Sequence, residues 1–310
     1  MGRRVVQQGS EVYATRAVDL SRDGQTVLIA RHAVNTPERL ELRAWDDLHV
    51  LEHWGARLNA DATFARFTSE DDRLVVTDAQ RNTVLLDRAS GGKVQPLRPG
   101  TRGASVARHA PRAVVLGAQV EVLDTTDGRS LWNVSESHAS LKAEAVALSP
   151  DGTKLAVTGW EGAQVALLDV DSRSLVKVLE PWSARGTQLL ALDASGQYLS
   201  LVGTGGSAAW ALATASHAAP EELGPERTAY TCHAFHPRLP VIVLGSRAGY
   251  VTSIDLETGA CRYAEKVHEG RVWDVAVSED GARVVSAGDE GDVYLQEWAE
   301  MEALGTSRIL

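Results

Sequence analysis

The sequence has little of what disulfide-stabilised, membrane-spanning or secreted proteins depend on. Its 310 residues include only two cysteines, Cys232 and Cys261, too few for a disulfide framework and typical of a reducing compartment. No stretch is apolar enough to span a membrane, and the first residues lack the apolar core of a signal peptide. These absences predict a cytoplasmic protein with no membrane partner.

The sequence also lacks the common motifs of catalysis and cofactor binding. It has no Gly-x-Ser-x-Gly elbow, no His-Glu-x-x-His helix, no phosphate loop and no dinucleotide fingerprint. We therefore expect no enzyme activity, no cofactor and no metal. The net charge of −10 disfavours nucleic acid as a partner, because phosphate backbones repel an acidic surface. The abundance of Arg over Lys and of Ala hints at a bacterial source.

A repeated unit is the strongest positive signal. Its best copies are VALSPDGTKLAVTGWEGAQVALLDVDS from Val146 and VAVSEDGARVVSAGDEGDVYLQEW from Val275. Each copy alternates apolar and polar residues across short segments, which predicts strands, and Asp-Gly supplies the tight turn between them. The first turns are spaced 40 to 48 residues apart, as expected for four-stranded blades. These turns are centred near Gly24, Asp72, Arg112, Gly152, Gly196, Arg238 and Gly281.

Recurring aspartates follow the predicted third strands. A carboxylate at this place accepts backbone N–H groups of the next hairpin, so we predict an Asx-type turn at each. Amphipathic helical periodicity is nearly absent; the exception is a short stretch around Glu300 to Leu304. The aspartates are Asp46, Asp87, Asp124, Asp169 and Asp255.

These repeats resemble the WD-repeat family, most closely in the last copy, HEGRVWDVAVSEDGARVVSAGDEGDVYLQEW. The resemblance implies an all-β, seven-bladed β-propeller of four-stranded antiparallel blades. It also implies a hydrogen-bonded tetrad in the last blade, formed by His268, Ser286, Glu290 and Trp298, with Glu290 in place of the usual aspartate. The other copies depart from this tetrad, so apolar packing is expected to hold most blades together.

The predicted domain is a single propeller over residues 1–310. Residues 3–8 are expected to complete the last blade and close the ring, which removes the open edge of the sheet. Residues 300–310 are left as a tail. The blades are predicted to start near residues 16, 63, 102, 144, 188, 231 and 273.

The tryptophans point to a binding surface. By repeat alignment, Trp160 precedes a turn between second and third strands, and Trp273 opens a first strand. In the WD-repeat family both places border the top face, where partners dock, and an exposed tryptophan is a natural hot spot. The opposite interpretation is that both rings pack between blades. The same alignment places seven polar residues at equivalent positions: Arg16, Arg102, Glu144, Gln188, Thr231, Arg247 and Asp289.

Three functional hypotheses follow. The first is a non-enzymatic scaffold or adaptor that binds a protein or peptide on the top face. The second is a propeller enzyme, such as a lactonase or hydrolase, with a metal in the central channel held by acids such as Asp19 and Asp193. The third is a sensor or regulatory subunit of a bacterial signalling or defence complex. We favour the first, because the predicted innermost strands are mainly apolar.

Two weaker clusters were weighed for chemistry. His49 and His53 are four residues apart and can share a face of a strand, as metal ligands do. Cys232 lies near His233 and His236, which is compatible with a Cys–His pair. Polar surface explains the first cluster more simply, and a small core cysteine explains the second.

Overall fold

The alternating segments of the sequence form β-strands in the structure, a computed structural model. The structure describes residues 4–6, 12–33, 40–54, 58, 60–138, 142–160, 164–179, 187–203, 206–211, 216–218 and 229–308. The strands, in chain order, are β1 (Arg4–Val6), β2 (Val12–Leu20), β3 (Thr26–Ala33), β4 (Leu40–Ala44), β5 (Val50–His53), β6 (Ala62–Phe67), β7 (Arg73–Asp78), β8 (Thr83–Asp87), β9 (Lys93–Arg98), β10 (Gly103–Val106), β11 (Arg112–Leu116), β12 (Val120–Asp124), β13 (Ser130–Asn133), β14 (Val146–Leu148), β15 (Lys154–Trp160), β16 (Gln164–Asp169), β17 (Ser174–Leu179), β18 (Thr187–Leu192), β19 (Tyr198–Gly203), β20 (Gly206–Ala211), β21 (Ser216–Ala218), β22 (Tyr230–Phe235), β23 (Val241–Ser246), β24 (Tyr250–Asp255), β25 (Cys261–Lys266), β26 (Val272–Val277), β27 (Arg283–Gly288) and β28 (Val293–Glu297).

The described strands form four-stranded antiparallel sheets, numbered here 1 to 7 along the chain. Sheets 1 to 6 are consecutive meanders, β2–β5, β6–β9, β10–β13, β14–β17, β18–β21 and β22–β25, and sheet 7 has the order β1-β28-β27-β26. The prediction of an all-β fold with four-stranded antiparallel blades in a β-propeller arrangement is confirmed. A single closed ring of seven blades stays a prediction.

The chain divides into two compact units. The first comprises residues 1–65 and 218–310 and contains sheets 1, 6 and 7; the second comprises residues 66–217 and contains most of sheets 2 to 5. The division falls within β6 and within β21. The first strands begin within two residues of the predicted blade starts, except for β2, which begins four residues earlier.

Apolar packing between neighbouring sheets forms the core of each unit. In the first unit, Val18 and Ile29 of sheet 1 pack with Val285 and Val293 of sheet 7. In the second unit, sheets 3 and 4 share one apolar cluster and sheets 4 and 5 share another. Each buried Val or Leu contributes about 1.5–3 kcal/mol, so this packing supplies most of the cohesion, as the degenerate tetrads led us to expect.

The Ser-x-Asp-Gly turns between first and second strands share one geometry. In sheet 1, Ser21 Oγ donates to Asp23 Oδ1 at 2.6 Å and accepts from Thr26 N at 2.9 Å. Gly24 takes φ of +68°, a conformation that side chains with a Cβ rarely adopt. The turns at Ser149 and Ser278 repeat these bonds.

Polar side chains from one sheet reach the turn of the next. Each donates to the carbonyl oxygen of a turn glycine and so satisfies a backbone acceptor. The repeat pattern does not predict this link between sheets. The three bonds are Arg283 Nη1 to Gly24 O at 2.6 Å, Arg112 Nη1 to Gly152 O at 2.9 Å, and His236 Nε2 to Gly281 O at 3.1 Å.

The third-strand aspartates form the predicted turns, with one exception. The carboxylates of Asp87, Asp124, Asp169 and Asp255 accept backbone N–H groups two or three residues ahead, at 2.8–2.9 Å. The prediction is wrong for Asp46, because in that turn Asp47 Oδ1 accepts from His49 N at 3.2 Å. The turn after β4 is therefore shifted by one residue.

The N-terminal strand pairs with the last strand of the chain. Arg4 lies opposite Leu295 and Val6 opposite Val293 in the β1–β28 ladder. Arg4 also donates to the carbonyl oxygens of Trp45 and Asp46. Of the predicted closing segment 3–8, residues 3, 7 and 8 lie outside the described residues.

The C-terminal segment is a helix and not a loose tail. The expected short helical stretch around residues 300–304 extends over α2 (Trp298–Arg308), and a single-turn helix, α1 (Val134–Ser137), follows β13. Trp298 and Met301 are buried in the core of sheets 6 and 7. Gly305 packs so tightly on β25 that an added Cβ would lie 1.7 Å from Arg262 O. Neither helix in the described part of the chain is long and apolar enough to cross a membrane.

Sheet 1 contains a buried ionic cluster. The side chains of Arg31 and Glu41 are 0% exposed, and Arg31 Nη2 lies 2.7 Å from Glu41 Oε1. The half-buried Arg43 donates to the same carboxylate through Nε at 2.6 Å. Since Arg31 lies opposite Thr15 in the β2–β3 ladder, this cluster supports the part of β2 that carries Arg16.

Candidate functional site

The predicted tetrad of the last blade forms in three of its four members. His268 Nδ1 is hydrogen-bonded to the Glu290 carboxylate, and His268 Nε2 lies 2.9 Å from Ser286 Oγ. Trp298 does not join, and this part of the prediction is wrong. Since α2 begins at Trp298, its ring turns to His236, with centroids 4.7 Å apart, and its Nε1 has no hydrogen-bond partner among the described residues. The edge of His268 is covered instead by Tyr294, 4.8 Å away.

The Ser286–His268–Glu290 order is that of a nucleophile, a base and an orienting acid. However, Ser286 is 0% and His268 1% exposed, so no substrate can reach the hydroxyl in this conformation. Burial raises the pKa of Glu290, but the His268 hydrogen bond, the His268 charge and backbone donors together outweigh it, and the net shift is downward. The carboxylate is therefore ionised at neutral pH and holds the turn after β27 in place.

Trp273 lies beside this network, near the surface. It is half-buried, and its Nε1 donates to Asp289 Oδ1 at 2.5 Å. Asp289 stands in the turn between β27 and β28, directly before Glu290, and its Oδ2 accepts from Arg271 N at 3.1 Å. One turn therefore fixes the indole through Asp289 and the buried histidine through Glu290.

Two arginines cover the faces of the Trp273 ring. The guanidinium carbon of Arg16 lies 3.6 Å from the ring centroid, and that of Arg271 lies 3.9 Å from it. Two guanidinium groups at van der Waals distance from one centroid cannot share a face, so the indole lies between them. Cation–π attraction holds this stack together. Arg16, Arg271, Trp273 and Asp289 are called the Trp273 cluster below.

β-Bulges aim two of these side chains. In the β26–β27 ladder, Val272 pairs with Gly288 and Asp274 with Ala287, so Trp273 has no opposite residue. Arg16 occupies the same position in β2. A bulge turns its extra residue out of the regular alternation and re-aims the side chain. Gln188 of β18 and Thr231 of β22 lie at equivalent bulges in their own sheets.

The Trp273 cluster has an excess of positive charge. In the described part of the chain, neither the Arg16 nor the Arg271 guanidinium makes a hydrogen bond or an ion pair, and Arg271 Nε is buried without a partner. Burial lowers the pKa of Arg16, although the carboxylates of Asp289 and Asp61 offset part of this. Within the cluster itself, two cations face the one carboxylate of Asp289.

The structure brings only part of the predicted surface together. Arg16, Trp273 and Asp289 meet. Arg247 is exposed, and the described contacts of the Trp273 cluster do not include it. Arg271, which directly precedes β26, is absent from the predicted set, because its contact with Trp273 depends on the bulge at that residue.

The positions of the other predicted residues do not show whether they belong to a binding surface. Arg102 and Glu144 are exposed in the second unit, where Arg102 Nη2 donates to Gly117 O at 3.2 Å. Trp160 and Gln188 lie in β15 and β18, but their side chains are outside the described residues. Thr231 Oγ1 donates to Gly245 O at 3.2 Å, so it serves the strand and not the surface.

The residues weighed for catalysis or metal binding have structural partners. The acid Asp193 accepts from Ser195 N at 3.0 Å and Tyr198 N at 2.6 Å, which are turn bonds. Burial strongly raises the pKa of Cys232, so its thiol is not a ready nucleophile. His49 is hydrogen-bonded to Asp47. Among the described residues, no group of three or more His, Cys, Asp and Glu side chains is placed to hold a metal ion.

Comparison with known proteins adds no assignment. No protein-family model and no curated protein matches the sequence. The resemblance to WD repeats therefore rests on the repeat copies quoted above, and the geometry of the Trp273 cluster is the basis for a functional hypothesis.

Proposed function

We propose that this protein is a non-enzymatic scaffold of the WD-repeat type that binds a protein partner through the Trp273 cluster. The observation that carries the proposal is the half-buried Trp273 held between two arginines whose guanidinium groups form no ion pair or hydrogen bond in the described part of the chain. Tryptophan and arginine are the residues most enriched at the energetic centres of protein interfaces.

The rigidity of the cluster favours binding. Asp289 fixes the indole edge and the Arg271 backbone, and the bulges in β2 and β26 set the direction of the side chains. A surface that is already ordered loses little conformational entropy on binding. By contrast, the Ser286–His268–Glu290 network is buried, which argues against an enzymatic role for the nearest candidate nucleophile.

The proposed platform is one ring of seven blades closed between sheets 1 and 7. Two hydrogen bonds join these sheets, Thr15 Oγ1 to Gly291 O at 2.7 Å and Val18 N to Asp274 Oδ2 at 3.0 Å. The β1–β28 ladder brings the N-terminal strand into sheet 7. Arg16 and Trp273 come from the two sheets at this junction. The proposed binding site therefore lies where the N-terminal and C-terminal parts of the chain meet.

Partner capture tests the proposal. Immobilised wild-type protein, Trp273→Ala and the control Arg22→Ala, which changes an exposed arginine of the same unit, are incubated with native cell extract. We expect Trp273→Ala to lose a partner that wild type and Arg22→Ala retain, with unchanged thermal melting. Asp289→Ala should weaken the same capture, since it releases the indole. Retention of every partner by both cluster variants contradicts the proposal.

A further inference from the structure

We propose that the Trp273 cluster recognises an extended acidic segment of its partner in which two carboxylates are separated by one residue. This inference deepens the proposed function and rests on it. It names the chemistry of the partner: two negative charges, presented on one side of a strand-like peptide, one for each arginine.

The charges of the two arginines favour an acidic partner. Arg16 and Arg271 have no ion pair or hydrogen bond from their guanidinium groups among the described residues, and Asp289 uses both carboxylate oxygens on Trp273 Nε1 and Arg271 N. Guanidinium groups bind carboxylates in a planar, two-bond geometry. The guanidinium donors are therefore free to bind carboxylates that a partner supplies.

The distance between the two guanidinium groups matches alternate residues of an extended peptide. Because the guanidinium carbons lie 3.6 and 3.9 Å from the ring centroid on opposite faces, their separation is close to the sum of these distances. One carboxylate cannot bridge them, since the indole lies between. Alternate residues of an extended peptide point to one side and are about 7 Å apart, which matches this separation.

The residue between the two acids is expected to be neutral. It would pass over the indole edge, where the Asp289 carboxylate lies within 2.5 Å of Nε1. A third carboxylate there would meet a like charge. The cluster therefore selects acid, neutral residue, acid, and disfavours a continuous acidic run.

The experiment uses three labelled peptides of one length and measures fluorescence anisotropy on the whole protein. They are Gly-Ser-Glu-Ser-Glu-Ser-Gly, its isomer with adjacent glutamates, and the version with glutamines. We expect the alternating peptide to bind about tenfold more tightly than its isomer, the effect of one added charge-assisted contact. The affinity should fall as salt is raised.

Variants show whether the arginines cause this preference. Arg16→Gln and Arg271→Gln should each remove the difference between the two acidic peptides, whereas Arg22→Gln should keep it. Arg16→Lys keeps the charge and should retain part of the affinity, which guards against loss through misfolding. Each variant is first shown to melt like wild type.

The outcomes separate this inference from the proposed function. Equal binding of the two acidic peptides overturns the inference, as does equal competition by a single-stranded oligonucleotide of the same charge. If partner capture still depends on Trp273 in either case, the proposed function stands without it. If capture is also indifferent to Trp273, both fail.

Discussion

Replacing Glu41 by glutamine should strongly destabilise sheet 1. Glu41 and Arg31 are 0% exposed and lie 2.7 Å apart, and Arg43 shares the same carboxylate. The substitution keeps the size of the side chain but removes the counter-charge of a fully buried guanidinium. Two unit charges about 4 Å apart interact by about 4 kcal/mol at an effective dielectric constant near 20. Breaking a buried pair costs about 3–5 kcal/mol in measured cases.

Urea unfolding followed by tryptophan fluorescence measures this loss. A cost of about 3 kcal/mol should lower the unfolding midpoint by up to about 1 M. The matched control is Glu302→Gln, whose partially exposed pair with Arg262 spans 3.4 Å and should contribute less than about 1 kcal/mol. Replacing both Arg31 and Glu41 by Met and Leu should recover most of the loss. A Glu41→Gln midpoint equal to that of Glu302→Gln would refute the reasoning.

Two further predictions concern acid stability and the N-terminal strand. Burial raises the pKa of Asp255, but the Arg262 hydrogen bond and backbone donors lower it to about 2 overall. The contribution of Asp255 to the free energy of unfolding is therefore complete above the unfolded pKa of about 3.9 and is lost as the pH falls towards 2. Between these pH values, the urea midpoint of Asp255→Asn should fall less steeply with pH than that of wild type. Deleting residues 1–6 removes the buried Val6 and the Arg4 contacts to Trp45, and should lower the melting temperature more than Arg4→Ala; equal melting of the truncated and full chains would contradict ring closure.

Local chemistry made much of the fold predictable. Alternation within segments such as RVVSAG determines which side chains enter the core, and Gly24 and its equivalents can take the positive φ that the turns require. The bonds from His268 to Ser286 and Glu290 followed from the resemblance to WD repeats. In each of these cases the physical cause lies within a few residues or in a repeated pattern.

The missed features depend on contacts between strands and between sheets. Trp298 sits where a third-strand residue was expected, but packing against His236 at the start of α2 redirects it. The bulges at Arg16 and Trp273 depend on how paired strands register, which a single strand does not reveal. The stacking of Arg16 on Trp273 joins residues from opposite ends of the chain, and no local signal encodes it.

The central claim is that a partner binds at the Trp273 cluster. Hydrogen exchange of the wild-type protein, alone and with its captured partner, tests this most directly, because slowed exchange of backbone amides marks the contact surface. The account predicts protection of residues 269–273 and 288–291, which carry Arg271, Trp273 and Asp289. Protection confined to other segments, with unchanged exchange in these two, would contradict it.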